Sequence, residues 1–344
     1  MTNIATSVAG TYDITKGAGY KCTEVTVKFR RSFHVLRQKM REMGVYGISE
    51  TRVYTDHAID EETLREQVRK LYIALSLSVE RQRIMSIFSV LPAQIGLSRK
   101  IPEWAAFSAN DMTYLVRRGW LRRLLNGDYL IHQAIKDSIQ LQMEKGDLEP
   151  PAFSECESLC RGYVQLDLEN EKNMMDRNQE QLTVLSGFLS RYDDSISDDE
   201  LHVDILNDIA LCYHRQGDYQ RSIAFLQQAL TVIENSPSIN RAEYVAACHN
   251  ISITHNYLKN PVESYKFAKF AWDEAKRVFR ENDPQTICFE LGIGNSLMNM
   301  ERFAEAKQHY LHAYKISEAI KKTAPEVGAK VLNRLARYYG IATK

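Results

Sequence analysis

The sequence lacks several features that would assign a chain of 344 residues to a specialised class. Its 44 basic and 44 acidic side chains cancel, so no overall field draws the protein to nucleic acid or to an anionic membrane. No stretch approaches the roughly 18 consecutive apolar residues of a membrane helix, and no continuous hydrophobic region typical of a secretion signal is present near the N-terminus. The six cysteines are scattered without paired spacing, which argues against a disulfide framework. These absences predict a globular protein of the reducing cytoplasm.

The sequence does contain a repeat in its C-terminal half. Apolar residues stand 42 positions apart at Ile209, Ile251, Ile293 and Leu335. The residues that follow them are all small, namely Ala210, Ser252, Gly294 and Ala336. A second small position recurs with the same period at Ala229, Ala271 and Ala313. Because small residues are typical of places where two helices touch, the period predicts helix hairpins, about three or more of which must stack to bury their apolar faces.

The first unit, NDIALCYHRQGDYQRSIAFLQQAL, resembles the tetratricopeptide repeat. The residues that carry the likeness are Ile209, Ala210, Tyr213, Gly217, Tyr219, Ser222, Leu226 and Ala229. The resemblance implies an α-solenoid, and the period of 42 instead of the usual 34 or so implies longer helices or connections. In the second and third units the turn glycine is replaced by Lys259 and Glu301. The fourth unit is a single helix whose remaining face, with Lys330, Arg334 and Arg337, suits a polar solenoid cap.

Upstream of the repeats, the pattern changes to helices followed by a hairpin. Asn126-Gly127 between two short apolar runs is a strong hairpin signal, because both central turn positions need a positive φ. The predicted elements are helices at 61–74, 78–91, 102–107 and 108–119, strands at 120–125 and 129–131, and a helix that begins at His132. Three or four helices and one hairpin make a winged helix.

Residues 50–143 also resemble the winged-helix part of STAND-class (NB-ARC-like) signalling ATPases of bacteria, which tetratricopeptide repeats commonly follow. The stretches that carry the likeness are LREQVRKLYIALSLSVERQRIMSIFSVLP, DMTYLVRRGWL and GDYLIHQAI. In that family the histidine that opens the last helix lies beside the phosphates of bound ADP. His132 matches this position and is the candidate nucleotide sensor, although the acidic residue that often follows is Gln133 here.

The chain departs from those ATPases at the nucleotide site itself. It has no G-x-x-x-x-G-K-[ST] motif, whose backbone N–H groups cradle the phosphates, and the cluster KGAGYK has the wrong spacing. Residues 1–48 are also too few for a nucleotide-binding α/β domain. We therefore expect a non-enzymatic chain without a cofactor, in which residues 26–47 are a leftover helical edge.

The predicted fold is mainly α: a winged helix of helices plus one β-hairpin, followed by an α-solenoid of tetratricopeptide-type hairpins. Turn formers and two prolines between Gly146 and Pro151 mark the boundary before the repeats. The predicted segments are a partial helical remnant or N-terminal arm at 1–48, a winged-helix domain at 49–146, linker helices or an atypical repeat at 147–200, and the repeat solenoid at 201–344.

The concave side of the solenoid is the candidate partner-binding site, because the first helix of each unit lines it. Positions two before the Ile209 register, and two, five and six after it, should face this groove. They select Asn207, Leu211, His214, Arg215, His249, Asn256, Tyr257, Asn295, Asn299, Asn333 and Arg337, together with Ile253, Leu291 and Met298. Asn side chains can donate to and accept from the backbone of an extended peptide.

The function expected from these features is a protein-binding or peptide-binding scaffold or sensor derived from a STAND ATPase. The alternative is a peptide-responsive transcription regulator whose winged helix binds DNA through Arg117, Arg118, Arg122 and Arg123. A third possibility is a nucleotide switch that binds ADP. Cys156 and Cys160 share a helix face, but no second pair follows, so we expect no metal site.

Overall fold

The structure is a computed structural model that describes residues 77–93, 95–166, 174–280, 283–322 and 324–342. The predicted helix at 61–74, the remnant within 1–48 and the KGAGYK cluster lie outside these residues. The chain divides into two compact units, one of Met1–Lys172 with Thr183–Tyr192 and the other of Asn173–Leu182 with Asp193–Lys344. The four segments expected from the sequence stay a prediction.

The first unit contains the predicted helices and hairpin. Its elements are α1 (Val79–Val90), α2 (Ile101–Trp104), α3 (Ala109–Arg117), β1 (Leu121–Arg123), β2 (Tyr129–Ile131), α4 (Gln133–Glu144), α5 (Phe153–Val164) and the second half of α6 (Met174–Tyr192). Ser78 and Ser108 occupy the N-cap positions of α1 and α3, but neither side chain makes a capping hydrogen bond. His132 stands at the N-cap of α4.

The hairpin is held by its turn and by a third segment. β1 and β2 pair antiparallel with Leu121 opposite Ile131, and Gly127 takes a φ of +89° that favours glycine. Asp128 accepts from the Asn126 side-chain amide at 2.6 Å and from the Arg99 backbone N–H at 3.1 Å. A bridge between Leu97 and Tyr129 extends the pairing beyond the two strands. A small sheet thus packs with the helices, as the winged-helix interpretation requires.

The core of the first unit joins α1, α3 and β2 through Ile84, Phe88, Leu115 and Ile131, which are all fully buried. α4 is fastened to the end of α1 by two polar contacts. The Lys136 ammonium donates to the Leu91 carbonyl at 2.6 Å, and the Gln140 amide donates to the Ser89 carbonyl at 3.0 Å. These bonds satisfy carbonyls at a helix end that have no partner within the helix.

The second unit is a row of helix hairpins. Its elements are the first half of α6, then α7 (Asp199–Arg215), α8 (Tyr219–Asn235), α9 (Arg241–Tyr257), α10 (Pro261–Val278), α11 (Pro284–Asn299), α12 (Phe303–Ala319) and α13 (Pro325–Ala342). α7, α9 and α11 are the first helices of three hairpins, and α13 takes the place of a fourth first helix. The predicted fold class, mainly α with one early hairpin and then stacked helix hairpins, is confirmed.

The 42-residue register describes how these helices pack. The register residues Ile209, Ile251, Ile293 and Leu335 are all buried, and Ala229, Ala271 and Ala313 of the second helices are fully buried. At Gly294 a Cβ atom would lie 2.4 Å from the ring of Tyr310 on α12. The small residues therefore recur because side chains of the paired helix occupy the space beside them.

The three turns within the hairpins share one geometry although only one contains glycine. Gly217, Lys259 and Glu301 have φ values of +81°, +56° and +60°. After each of them, the next backbone N–H donates to the carbonyl five residues earlier, as from Asp218 to Tyr213 at 3.0 Å. This is the Schellman ending of an α-helix. The helix ending dictates the backbone conformation, and two of the three sequences adopt it without glycine.

Candidate functional site

The candidate site is the open side of the first helices α7, α9, α11 and α13, which we call the inner face. Five of the predicted residues on it are exposed, namely Leu211, Tyr257, Asn299, Asn333 and Arg337. Five more are partly buried, namely Asn207, His214, Arg215, Asn256 and Asn295. Ile253 and Met298 are also partly buried. The register thus places most of the predicted set on an accessible surface.

Aromatic rings meet where α7 and α9 end. The His214 ring stands edge-on to Tyr219 at 5.2 Å and to Tyr257 at 4.9 Å, and the two tyrosine rings stack at 5.3 Å. His214 Nδ1 also lies 3.3 Å from the Thr254 hydroxyl, and burial lowers the pKa of this histidine. Tyr257 nevertheless remains 58% exposed. These three rings, the aromatic cluster, present a fixed apolar surface to solvent.

Amide groups continue the inner face from α9 to α11. The Asn299 amide donates to Asn256 Oδ1 at 3.0 Å, and the Asn256 amide donates to the Ser296 hydroxyl at 3.4 Å. The Tyr310 hydroxyl donates to Asn295 Oδ1 at 2.9 Å. These bonds orient the three amides and still leave donors and acceptors on them for a peptide backbone.

An acidic side chain outside the residue set predicted from the sequence lies at the α7 end of the inner face. Asp208 accepts a hydrogen bond from the Gln181 amide at 3.3 Å. Burial, and secondarily the charge of Asp204 one turn away, raise the pKa of Asp208 to about 7, against the lowering effect of Arg215. The spacing of two aspartates one helical turn apart was a sequence signal for this pair.

The opposite end of the inner face is basic. Arg334 and Arg337 of α13 lie close enough to Tyr310 that their charges favour its ionised form, although burial raises the pKa of Tyr310 to about 12. Burial raises the pKa of Cys288 on α11, and the charge of Lys330 on α13 acts to lower it. Lys330 and Arg337 are exposed and Arg334 is partly buried.

Two predicted residues lie in the packing between helices instead of on the open side. The His249 ring packs edge-on against Phe289 at 5.0 Å and next to Gly292, where a Cβ would come within 2.9 Å of it. Its Nδ1 is buried without a partner, and burial lowers the pKa of His249 to about 4. Leu291 belongs to the buried cluster around Tyr310. His249 and Leu291 each lie two residues before the register residue of their helix. In these two units that position faces the neighbouring first helix.

The basic residues of the first unit are all on its surface. Arg117, Arg118, Arg122 and Arg123 are exposed at the end of α3 and along β1, and none of them pairs with a carboxylate of another described residue. Arg118 lies over the Tyr114 ring, 5.5 Å from its centre. His132 is partly buried, and burial lowers its pKa against the raising effect of Asp137. Its contact with a nucleotide stays a prediction.

No group of three or more His, Cys, Asp or Glu side chains among the described residues is placed to hold a metal ion. Cys156 lies 4.0 Å from the Tyr192 hydroxyl, and burial raises the pKa of its thiol to about 11. No helix within the described ranges is long and apolar enough to cross a membrane.

The comparisons with known proteins agree with the hairpin geometry. Family models described as Tetratricopeptide repeat match residues 202–266 and residues 291–320. Those residues are tetratricopeptide repeats. The first match runs from within α7 through α8 and α9 to the start of α10, and the second includes the second half of α11 and the whole of α12. The predicted resemblance of these repeats is therefore confirmed.

A solved structure is similar to the chain at the level of its whole length. It is that of a Signal Transduction ATPase with Numerous Domains (STAND) protein with a tetratricopeptide repeat sensor, from Pyrococcus horikoshii. The identity is 13% and the TM-score 0.45, and the match covers 98% of this chain and 50% of that one. The chain therefore spans half the length of that protein. No curated protein sequence matches the present chain.

Proposed function

We propose that the chain is a non-catalytic scaffold or sensor that binds an extended segment of another protein along the inner face of its tetratricopeptide repeats. Repeats of this kind generally mediate protein binding, and a stacked row of hairpins offers one long surface instead of a closed pocket. The resemblance of residues 50–143 to STAND winged helices supports descent from such a signalling ATPase, whose phosphate-binding motif this sequence lacks.

The observation that carries the proposal is the exposed Tyr257. A tyrosine that is 58% exposed and yet held by two neighbouring rings has already lost much of its rotational freedom. Binding to it therefore costs little further entropy, which is the reason why rigid aromatic side chains dominate the energy of protein interfaces. Leu211, one helical turn before His214 on α7, adds exposed apolar area, and the oriented amides of Asn256 and Asn299 add hydrogen bonds.

Charge gives the proposed ligand a direction. At the α7 end the exposed Asp204 and the partly ionised Asp208 outweigh Arg215, the α9 and α11 equivalents of the two aspartates are uncharged, and Lys330 and Arg337 stand on α13. Complementarity of charge favours a peptide whose basic end lies toward α7 and whose acidic end lies toward α13.

Selection of random linear peptides displayed on phage against the immobilised full chain tests the proposal. We expect the selected peptides to carry an apolar or aromatic residue and to lose affinity about tenfold or more with Tyr257→Ala, as loss of a central aromatic contact does. Leu311→Ala is the matched control, because Leu311 is similarly accessible but lies on a second helix. Failure to enrich any peptide, or equal binding by both variants, would contradict the proposal.

The exposed arginines of the first unit favour DNA binding as a second candidate function. Four guanidinium groups at the end of α3 and on β1, without carboxylate partners among the described residues, could contact phosphates. Binding to DNA fragments should then weaken steeply as salt rises, because phosphate contacts release counterions. Arg122→Ala combined with Arg123→Ala should abolish it. Absence of binding at low salt would remove this candidate.

A further inference from the structure

One contact between neighbouring first helices recurs along the inner face. In its first instance His214 Nδ1 of α7 lies 3.3 Å from the Thr254 hydroxyl of α9. The residues 42 positions later form the second instance, in which the Asn256 amide of α9 donates to the Ser296 hydroxyl of α11 at 3.4 Å. A side chain near the end of each of these first helices is thus held by a hydroxyl of the next one.

The hydroxyl in each contact donates its own proton elsewhere. Thr254 donates to the Asn250 carbonyl at 2.8 Å, and Ser296 donates to the Gly292 carbonyl, which is the equivalent one, at 3.0 Å. Thr254 is only 2% exposed, and a hydroxyl has a single proton, so toward the ring it can only accept. His214 Nδ1 is therefore the donor in this bond and carries the ring proton.

The second ring nitrogen of His214 is left as an acceptor. Burial, and secondarily the charge of Arg215, lower the pKa of His214, so the ring is neutral at about pH 7 and has only one N–H. Nε2 makes no hydrogen bond with a described residue and is not enclosed, in contrast to the buried Nδ1 atoms of His249 and His255. The aromatic cluster thus offers one accessible acceptor that the described part of the chain leaves unused.

The charge beside the aromatic cluster disfavours a cationic donor. Arg215, adjacent in α7, is the charge that acts on His214 among the described groups, and no carboxylate among them does so. Asp208, the nearer of the two inner-face aspartates, precedes His214 by six residues. A lysine or arginine of a partner would meet like charge at this place, whereas a neutral donor would not.

We propose that the aromatic cluster binds a tyrosine or tryptophan side chain of the partner, whose O–H or indole N–H donates to His214 Nε2 while its ring packs against the exposed Tyr257. These two residue types combine an aromatic ring with a neutral donor, which matches a surface of rings around one acceptor. Phenylalanine lacks the donor, and arginine brings the disfavoured charge. The inference rests on the proposed binding of a protein segment along the inner face, and it adds which residue of that segment the cluster selects.

Long-range proton–nitrogen NMR correlation of the histidine side chains in the full chain reads the tautomer. We expect the His214 signals, assigned by their loss in His214→Phe, to show a proton on Nδ1 and none on Nε2 at about pH 7. Thr254→Ser keeps the accepting hydroxyl and should keep this tautomer, whereas Thr254→Val removes the hydroxyl and should release it. A proton on Nε2 in the wild type would overturn the inference.

Amides of single amino acids test the selection of a donor without an extended peptide. In the same spectra N-acetyltryptophan amide should shift the His214 signals and bind about two- to tenfold more tightly than its indole-N-methyl derivative, because methylation removes one neutral hydrogen bond. N-acetyltyrosine amide should likewise bind more tightly than its O-methyl derivative. His214→Phe should abolish both differences. His255→Phe, at a histidine that stacks on Phe267 of α10, is the matched control and should preserve them.

Equal binding of the methylated and unmethylated amides, or no shift of the His214 signals by any of them, would overturn the inference. A preference that persists in His214→Phe would do so as well. These outcomes leave the proposed function standing when phage selection still yields peptides that depend on Tyr257. Failure of that selection together with discrimination among the amides would instead contradict the extended segment and retain the aromatic residue as the ligand of the cluster.

Discussion

Single residues of the inner face differ in what holds them. Tyr257 is exposed and Asn256 is partly buried, and side chains of other helices hold both of them in place. His249, in contrast, is enclosed against Phe289 and Gly292. All three occupy positions that the 42-residue register assigns to the groove. Periodicity along one helix gives the direction of a side chain, but it contains no information about how closely the next helix approaches.

Asp208→Asn should stabilise the protein, and more so at high pH. The pKa of Asp208 is raised to about 7 in the folded state, above its value of about 3.9 in an unfolded chain. The unfolded chain therefore releases this proton at lower pH, so the folded state is progressively penalised between about pH 4 and pH 7. Thermal or urea unfolding should show a gain about 1 to 3 kcal/mol larger at about pH 8 than at about pH 5.

Asp204→Asn serves as the companion variant for that measurement. Because the Asp204 charge is the second cause of the raised pKa, its removal should reduce the pH dependence without abolishing it. The same gain for Asp208→Asn at both pH values would show that the carboxyl is ionised as in an exposed aspartate.

Gly294→Ala should destabilise the protein by about 1 to 3 kcal/mol, as overpacking in a core does. The added Cβ would lie 2.4 Å from the Tyr310 ring, which is itself buried and bonded to Asn295. Gly187→Ala is the control, because no atom lies within 4 Å of a Cβ there, and the alanine should stabilise its helix by about 0.5 to 1 kcal/mol. Urea unfolding measures both, and two changes of the same sign would contradict the packing described around Gly294.

At the scale of elements, each hairpin has the same ending of its first helix. The backbone of Lys259 and Glu301 adopts the left-handed conformation of Gly217. The sequence has lost glycine at these two turns, and yet the structure keeps the turn geometry. The two Schellman hydrogen bonds and the packing of the following helix outweigh the local strain of a side chain at positive φ.

Lys259→Gly and Glu301→Gly should therefore each stabilise the protein by about 1 kcal/mol, the strain that a Cβ adds in the left-handed region. Lys259→Ala keeps the Cβ and should change little, which separates the backbone effect from loss of the lysine charge. Gly217→Ala should destabilise by a similar amount. Chemical denaturation of the four variants gives the answer, and a lower stability of both glycine variants would contradict the strain.

The helix α13 matches the expectation of a polar cap only in part. Lys330 and Arg337 are exposed as expected, but Leu332, Ala336 and Tyr339 are exposed as well. The sequence contains all of these residues, and the packing of neighbouring helices decides which of them are exposed.

At the scale of the whole molecule, the chain combines a helix-and-hairpin unit with tetratricopeptide repeats. The sequence resemblance of residues 50–143 to the winged helices of STAND ATPases raises the question of nucleotide binding. We expect isothermal titration of ADP into the full chain to give no binding heat, because the sequence has no backbone cradle for phosphates. A saturable heat that His132→Ala abolishes would contradict this and assign the family's sensor role to that histidine.

The sequence by itself determined the helical period, the small residues at helix contacts, the turn at Asn126-Gly127 and the likeness to tetratricopeptide repeats. All of these are local or periodic properties, which depend on residues near in the chain. The tertiary structure alone decided which groove positions are open, that Asp208 is partly buried beside Gln181, and that Leu332 of α13 is exposed. Those properties depend on distances between separate helices, and such distances are set by the packing of many side chains at once.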